Sequence, residues 1–268
     1  MIEQQVQKRA AEAGRVHLSI DDGIASVVFD RPQARNAMTW AMYTELGAIC
    51  ESLRSDRTVR VVTFRGAGGE AFVAGTDIEQ FRSFSTGEDG VAYERVVDER
   101  IGQIEALPMP TVAIVEGWAI GGGLAIATAC DFRIATPNAR FGLPIARTLG
   151  NCLSMANIAR VTAAFGIGRA KRMLLLAETL QADELHAAGY VTEVVAADAI
   201  DAAASTICAK LAANAPVTMQ VSKEAIRRVT QAGLPDGSDL IRLCYGSRDF
   251  KIGVEAFLEK QRPNWSGE

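Results

Sequence analysis

The chain has 268 residues, of which 49% are hydrophobic and 22% are charged. These proportions are typical of folded, water-soluble proteins and exclude a disordered chain, which would be richer in charge and poorer in apolar residues. The chain carries 28 Lys and Arg against 32 Asp and Glu, a net charge of −4. Such a balance offers no general attraction to nucleic acid or to an anionic membrane surface, so we expect neither as a partner.

The sequence contains no segment suited to a membrane. The longest apolar stretch without charge, residues 117–130, is shorter than the roughly 20 residues that a membrane-spanning helix needs, and glycines interrupt it. The first 15 residues hold no apolar core of the kind that a signal peptide requires. We therefore expect a cytoplasmic location.

Cysteine and histidine are too few and too scattered for a metal centre or a disulfide framework. The five cysteines are odd in number and form no CxxC pair: Cys50, Cys130, Cys152, Cys208 and Cys244. The two histidines, His17 and His186, lie in strand-like and helix-like patterns and are interpreted as structural. The sequence therefore predicts reduced thiols and no metal site.

The first part of the chain alternates between strand and helix patterns. Two β-rich runs flank Asp-Asp-Gly within residues 15–30, which predicts a hairpin. From Thr39, a preferred N-cap residue, apolar side chains recur at helical spacing, and a strand follows at residues 59–64. A second amphipathic helix should end at Leu107, because Pro108 disfavours helical geometry in the residue before it.

The pattern then repeats and finally becomes helical. TVAIVEG (residues 111–117) predicts a strand, and WAIGGGLAIATAC predicts a glycine turn opening a helix of small apolar residues, which must be buried. DFRIAT forms the next strand, and beyond Gly150 the chain is mostly helical. This order predicts an α/β core with parallel strands in residues 1–196 and a helical C-terminal subdomain in residues 197–268.

The glycine-rich run GAGGEA at residues 66–71 fits the pattern of a dinucleotide-binding turn only weakly. In such a turn the glycines open a helix whose N-terminus faces the pyrophosphate. Here the next residues, FVAGTD, form another loop with a further glycine. We therefore interpret this run as a connecting loop.

Two other glycine-rich segments, residues 71–78 and 117–131, each place flexible backbone at the end of a strand. Two such loops can direct two peptide N–H groups to one point. Since a helix begins at the triple glycine, its dipole would add to their effect on an oxygen that develops negative charge. The alternative is that the glycines only permit close packing of helix on sheet.

Four segments in this order resemble the enoyl-CoA hydratase/isomerase (crotonase) family: RPQARNA, AGTDI, EGWAIGGGLAIATACD and FLEKQRPNW. The resemblance extends from about Val16 to the end of the chain. It implies a spiral of repeated ββα units capped by helices, assembled as a homo-trimer or as a hexamer. It also implies stabilisation of an acyl-CoA enolate by two backbone amides, which by position are those of Thr76 and Gly122. Coenzyme A is then part of the substrate, and no separate cofactor is expected.

The same resemblance assigns nine further positions to binding of the substrate and its CoA moiety: Arg35, Ala37, Ala74, Gly75, Asp77, Ile78, Gly121, Phe257 and Lys260.

The sequence departs from the family pattern where hydratases carry two catalytic glutamates. Ala125 stands two residues after the triple glycine, and Ile145 follows the proline of FGLPI. No Asp or Glu occurs between Asp131 and Glu178, so a shifted alignment cannot supply the second carboxylate. Hydration needs a base for water and an acid for the α-carbon. We therefore expect a poor hydratase, and a lyase or isomerase reaction becomes the leading hypothesis.

Four polar residues on the loop that should cover the site are candidate replacements for these glutamates: Arg147, Thr148, Asn151 and Cys152. Each also has a structural interpretation. Arg147 could pair with a carboxylate or the CoA phosphates, Asn151 could cap the next helix, and Cys152 could pack as a small apolar residue.

Three functional hypotheses remain open from the sequence. In the first, the polar loop supplies replacement acid and base groups. In the second, the reaction needs little proton transfer, as when an enolate forms by loss of carbon dioxide or by carbon–carbon cleavage. The third is that the chain is a non-catalytic acyl-CoA-binding subunit or scaffold. A peptidase of similar fold is disfavoured, because no Ser and His lie at matching positions next to glycine.

Overall fold

A computed structural model describes residues 13–268 of the chain. Residues 1–12, which hold most of the N-terminal segment considered above as a signal peptide, lie outside the described residues. Within residues 13–268 the structure contains ten strands: β1 Arg15–Asp21, β2 Ile24–Asp30, β3 Val61–Gly66, β4 Ala71–Val73, β5 Thr111–Val115, β6 Trp118–Ile120, β7 Phe132–Ala135, β8 Arg140–Gly142, β9 Thr179–Gln181 and β10 Glu193–Val194.

Ten α-helices accompany these strands in the same part of the chain: α1 Trp40–Ser55, α2 Gly87–Glu105, α3 Gly122–Ala129, α4 Ile145–Thr148, α5 Met155–Leu175, α6 Ala182–Ala187, α7 Ile200–Ala212, α8 Pro216–Gln231, α9 Ser238–Tyr245 and α10 Arg248–Leu258. Thr39 caps α1, as predicted, because its side chain accepts a hydrogen bond from the Met42 amide at 3.3 Å. The second predicted helix, α2, ends at Glu105.

The strands form two sheets, and the chain moves between them in a repeating order. The larger sheet has the order β1-β2-β3-β5-β7-β10 and is parallel except for the β1–β2 hairpin. The smaller sheet has the order β4-β6-β8-β9, with only β9 antiparallel. Each unit contributes one strand to each sheet and then a helix, as in β3-β4-α2, β5-β6-α3 and β7-β8-α4. This arrangement confirms the predicted α/β spiral of ββα units.

Both faces of the larger sheet are covered, as expected for parallel strands. On one face, strand residues such as Phe29 and Phe64 join the main core with α1, α2 and α3. On the other face, Val61 and Val112 pack against Ile200 and Leu211 of α7. The predicted boundary at residue 197 falls just before α7, and the division into two domains stays a prediction.

The last three helices differ in how they are covered. Helix α9 packs against α2, and α10 packs against a short 3-10 helix, Ile78–Ser83. Helix α8 has no buried residue, although its sequence is amphipathic. No helix in residues 13–268 combines the length and apolar character needed to cross a bilayer.

Candidate functional site

The triple glycine forms a turn that places the start of α3 against β4. Gly121 adopts a left-handed backbone conformation, with φ of 57°, and Gly122 is the first residue of the helix. A Cβ atom at Gly123 would lie 1.9 Å from the carbonyl oxygen of Val73 in β4. Only glycine at position 123 permits this close approach. The predicted buried helix after the triple glycine is confirmed.

The segment after β4 is held by backbone contacts with Met38. The Met38 amide donates to the Gly75 carbonyl at 2.8 Å, and the Asp77 amide donates to the Met38 carbonyl at 2.9 Å. These two bonds skip Thr76, so its amide points away from Met38. Gly75 has φ of 94°, a conformation that favours glycine.

The two segments meet at their glycines. A Cβ atom at Gly121 would lie 3.6 Å from the Gly75 Cα, and one at Gly122 would lie 3.5 Å from the Thr76 hydroxyl oxygen. Among the described residues, no oxygen accepts a hydrogen bond from the Thr76 or Gly122 amide. The predicted pair of amides is therefore brought together at the positive end of α3, with both donors available for a ligand oxygen.

A chain of three hydroxyl groups lies beside these amides. The Thr76 hydroxyl is hydrogen-bonded to the Tyr43 hydroxyl at 2.9 Å and to the Tyr93 hydroxyl at 2.8 Å. Burial raises the pKa of Tyr43 to about 12 and that of Tyr93 well above its usual range, so both stay protonated at neutral pH. Sequence reasoning missed both tyrosines because their helical spacing indicates only core packing. A buried tyrosine hydroxyl nevertheless needs a partner, and that requirement was the available clue.

The two positions at which the family resemblance places glutamates are apolar and buried. Ala125 is 8% exposed and lies in the second turn of α3, and Ile145 is 9% exposed at the start of α4. Neither side chain can accept or donate a proton.

A buried carboxyl group that the sequence analysis missed lies on α2. Glu94 is 3% exposed, and it accepts hydrogen bonds from the Tyr245 hydroxyl at 2.7 Å and the Ser154 amide at 3.0 Å. Burial raises its pKa to about 7, although these two hydrogen bonds act in the opposite direction. Glu94 lies in an amphipathic helix pattern, in which a charged residue is expected to face solvent. The sequence therefore carries no signal that Glu94 is buried.

The four polar loop candidates have separate surroundings. Arg147 is exposed, and the Thr148 hydroxyl donates to the Pro144 carbonyl at 3.0 Å. The Asn151 side chain donates to the Tyr245 hydroxyl at 3.3 Å. The expectation that Asn151 caps the next helix is wrong, because Ser154 occupies that position and accepts from the Asn157 amide.

Cys152 lies in the same loop, beside a second cysteine. The neighbouring Cys244 thiol and burial both raise the pKa of Cys152, which disfavours a reactive thiolate at neutral pH. This arrangement agrees with a packing role.

The nine predicted substrate-binding positions fall into two groups. Ala74, Gly75, Asp77, Ile78 and Gly121 surround the two amides in sequence and space, and Arg35 contributes its carbonyl oxygen to the Ala74 amide at 3.0 Å. Asp77 also caps the 3-10 helix and forms an ion pair with Arg31 at 2.8 Å. The second group comprises half-buried Ala37 and the exposed residues Phe257 and Lys260, which lie in and just after α10.

Two cavities lie apart from the amide pair. A cleft of about 580 Å³ separates the 3-10 helix from α10 and includes Phe81 and Phe250 in its walls. A larger cavity, of about 610 Å³, is lined by Thr128 and Cys130 at the C-terminal end of α3. Because the amide pair lies at the N-terminal end of that helix, the larger cavity is not the predicted thioester site.

Comparison with known proteins identifies the family of this chain. A family model described as enoyl-CoA hydratase/isomerase matches residues 19–268. The chain belongs to this family. A short-chain-enoyl-CoA hydratase of Clostridium acetobutylicum is 33% identical over 255 residues, covering 94% of this chain and 97% of that protein. The human mitochondrial enoyl-CoA hydratase domain-containing protein 2 is 34% identical over 256 residues, covering 92% and 87%.

Two solved structures have the same fold as this chain. An enoyl-CoA hydratase from Mycobacterium avium subsp. paratuberculosis K-10 superimposes with a TM-score of 0.81 at 32% identity, over 94% of this chain and 98% of that chain. A methylmalonyl-CoA decarboxylase in complex with 2-nitronate-propionyl-CoA has a TM-score of 0.86 over the same shares, at 24% identity. This second likeness shows a shared fold.

The raised pKa of Glu94 predicts how the stability of the fold depends on pH. Its ordinary value of 4.5 applies to the unfolded chain, whereas the folded value is about 7. The folded state therefore binds more protons between these values, and the free energy of unfolding should fall as pH rises from 4.5 to 7. Glu94→Gln should remove this pH-dependent part of the free energy of unfolding, which amounts to about 3 kcal/mol.

Urea denaturation of wild type and Glu94→Gln across this pH range measures the difference. The exposed residue Glu51 provides the control, since Glu51→Gln should keep the wild-type pH dependence. A constant difference between wild type and Glu94→Gln from pH 4.5 to 8 would contradict the assignment.

Proposed function

We propose that this protein is an enzyme that binds an acyl-CoA thioester and stabilises its enolate. The thioester carbonyl oxygen would accept hydrogen bonds from the Thr76 and Gly122 amides. This proposal is supported by the positions of the two amides, which lie on adjoining segments at the N-terminus of α3 and have no acceptor among the described residues. Donors of this kind favour the oxygen most when it carries negative charge, as it does in an enolate. Coenzyme A serves only as part of the substrate.

The apolar residues at positions 125 and 145 disfavour ordinary hydration by this chain. Curated relatives at 30–34% identity include proteins named hydratases. A general acid and a general base normally contribute about 10²- to 10⁴-fold each to a rate. Ala125 and Ile145 provide neither, and neither side chain offers a polar partner to a water molecule. We therefore propose a reaction in which the enolate forms without addition of water. It is either a lyase reaction, through loss of carbon dioxide or carbon–carbon cleavage, or an isomerase reaction whose proton transfer uses a group other than residues 125 and 145.

The same apolar residues also favour a second candidate, a non-catalytic acyl-CoA-binding subunit or scaffold. Turnover distinguishes the two. Propionyl-CoA, crotonyl-CoA and malonyl-CoA form a panel that covers saturated, unsaturated and decarboxylating thioesters. Binding of propionyl-CoA without turnover of any thioester favours the scaffold, and absence of all binding contradicts both candidates. Loss of turnover in Thr76→Pro, which removes one amide donor, would support the proposed site.

We expect slow hydration of crotonyl-CoA by the wild-type protein, well below the ordinary enzyme turnover of about 10 per second. Replacing both apolar residues, Ala125→Glu with Ile145→Glu, should raise the rate because it supplies an acid and a base. The matched variant Ala125→Gln with Ile145→Gln should not, since an amide is polar but cannot act as a general acid or base at neutral pH.

Ultraviolet absorbance of the conjugated thioester follows the reaction. Thermal unfolding of each variant serves as a control, because two buried carboxylates cost stability through desolvation and mutual repulsion. Wild-type turnover near 10 per second or faster would contradict the argument from the missing carboxylates.

We further propose that the protein is a homo-trimer or hexamer. Helix α8 exposes Val217, Val221, Ile226 and Val229, each more than 60% accessible in the single chain. Exposed apolar side chains grouped on one helix favour a protein interface. Light scattering at micromolar concentration should give a mass three or six times 28.6 kDa, and a stable monomer would refute the proposal.

The cytoplasmic location stays a prediction, and the human relative is named as mitochondrial.

A further inference from the structure

Tyr43 contacts both segments that supply the amide pair. Its hydroxyl is 2.9 Å from the Thr76 hydroxyl, and it lies 2.8 Å from the point at which a Cβ atom of Gly122 would stand. Tyr43 belongs to α1, which is neither of the two segments that carry the amides. One hydroxyl group on a third element is therefore bonded to Thr76 and fills the space in which a side chain at position 122 would lie.

The hydroxyl chain is buried and continues to a fourth element. Tyr43 is 1% exposed, and Tyr93, which bonds the other side of the Thr76 hydroxyl, lies on α2. Trp40 packs on both tyrosine rings, with ring centroids 6.1 and 5.7 Å away. Two hydrogen bonds and the packing of Trp40 thus hold the three hydroxyls together.

We propose that Tyr43, the Thr76 side chain and Tyr93 form a hydroxyl clamp that sets the spacing and direction of the Thr76 and Gly122 amides. This inference rests on the proposed function, because the amides matter only if they hold a thioester oxygen. Tyr43 and Tyr93 are positioning residues, since they act through the backbone of Thr76 and Gly122. The clamp also gives the Thr76 side chain a role, whereas the backbone argument alone assigns it none.

Loss of the clamp should matter because the effect of the Thr76 and Gly122 amides on a charged oxygen depends strongly on their geometry. A displacement of about 1 Å can reduce a rate about 100-fold. A saturated thioester carries little charge on its oxygen and should tolerate a looser site, whereas an enolate should not. Loss of the clamp should therefore weaken binding of an enolate analogue and leave binding of the thioester nearly unchanged.

Calorimetric titration with two probes, propionyl-CoA and the enolate analogue 2-nitronate-propionyl-CoA, measures this preference directly. We expect wild type to bind the nitronate more tightly than propionyl-CoA. The preference is expressed as the dissociation constant of propionyl-CoA divided by that of the nitronate. Tyr43→Phe should reduce this ratio about tenfold or more, while the affinity for propionyl-CoA changes less than about threefold. Thr76→Val should behave like Tyr43→Phe, and Thr76→Ser, which keeps the hydroxyl, should retain the wild-type ratio.

Tyr190→Phe is the matched control. Tyr190 is also a buried tyrosine whose hydroxyl bonds a threonine, Thr128, but at the opposite end of α3. Its removal should leave the ratio unchanged. If Tyr43→Phe does not fold, the comparison of Thr76→Val with Thr76→Ser decides the same question.

The outcomes separate the clamp from the proposed function. A wild-type protein with no preference for the nitronate contradicts enolate stabilisation and the clamp together. A wild-type preference that survives in Tyr43→Phe and Thr76→Val overturns the clamp alone. A preference lost in both of those variants and kept in Thr76→Ser and Tyr190→Phe supports both.

Discussion

Helix α3 packs so closely on strand β4 that the Val73 carbonyl would lie 1.9 Å from a Cβ atom at position 123. This contact fixes the start of the helix against the turn at Gly75 and thereby determines where the Gly122 amide lies relative to the Thr76 amide. This contact depends on the ββα spiral. The turn at Gly75 follows β4 and the turn at the triple glycine follows β6, and the two turns meet because β4 and β6 are neighbours in the smaller sheet. Close packing and the proposed chemistry therefore depend on the same glycines, so the two interpretations of the triple glycine are compatible.

Hydroxyl groups and apolar side chains lie around the amide pair, and the neighbouring Asp77 is paired with Arg31. Hydroxyl groups of Tyr43, Thr76 and Tyr93 stand beside the amides, and burial keeps the tyrosines protonated. Ala125 and Ile145 add apolar surface. Charge that develops on a substrate oxygen would be met by oriented dipoles, which need no reorganisation during the reaction. Such surroundings suit a reaction whose main requirement is a stabilised enolate, and positions 125 and 145 hold no carboxylate that could activate water.

Local patterns predicted much of the fold and the backbone part of the site. Thr39 was identified as a cap from its type and position, and the helix after the triple glycine was identified from its small apolar residues. The clamp was not predicted, because Tyr43 and Tyr93 are 33 and 17 residues from Thr76 and only the tertiary fold joins them. Asn151 fits the composition of a helix cap, but the helix begins after Ser154, whose position depends on a long-range bond with Glu94.

The central claim is that two backbone amides polarise a thioester carbonyl. The carbonyl stretching frequency of bound propionyl-CoA, identified by ¹³C labelling at the thioester carbon and recorded by difference infrared spectroscopy, tests this claim most directly. Hydrogen bonds from Thr76 and Gly122 would weaken the C=O bond, so the account predicts a lower frequency in the complex than in free propionyl-CoA. The same frequency in the bound and free states would contradict it.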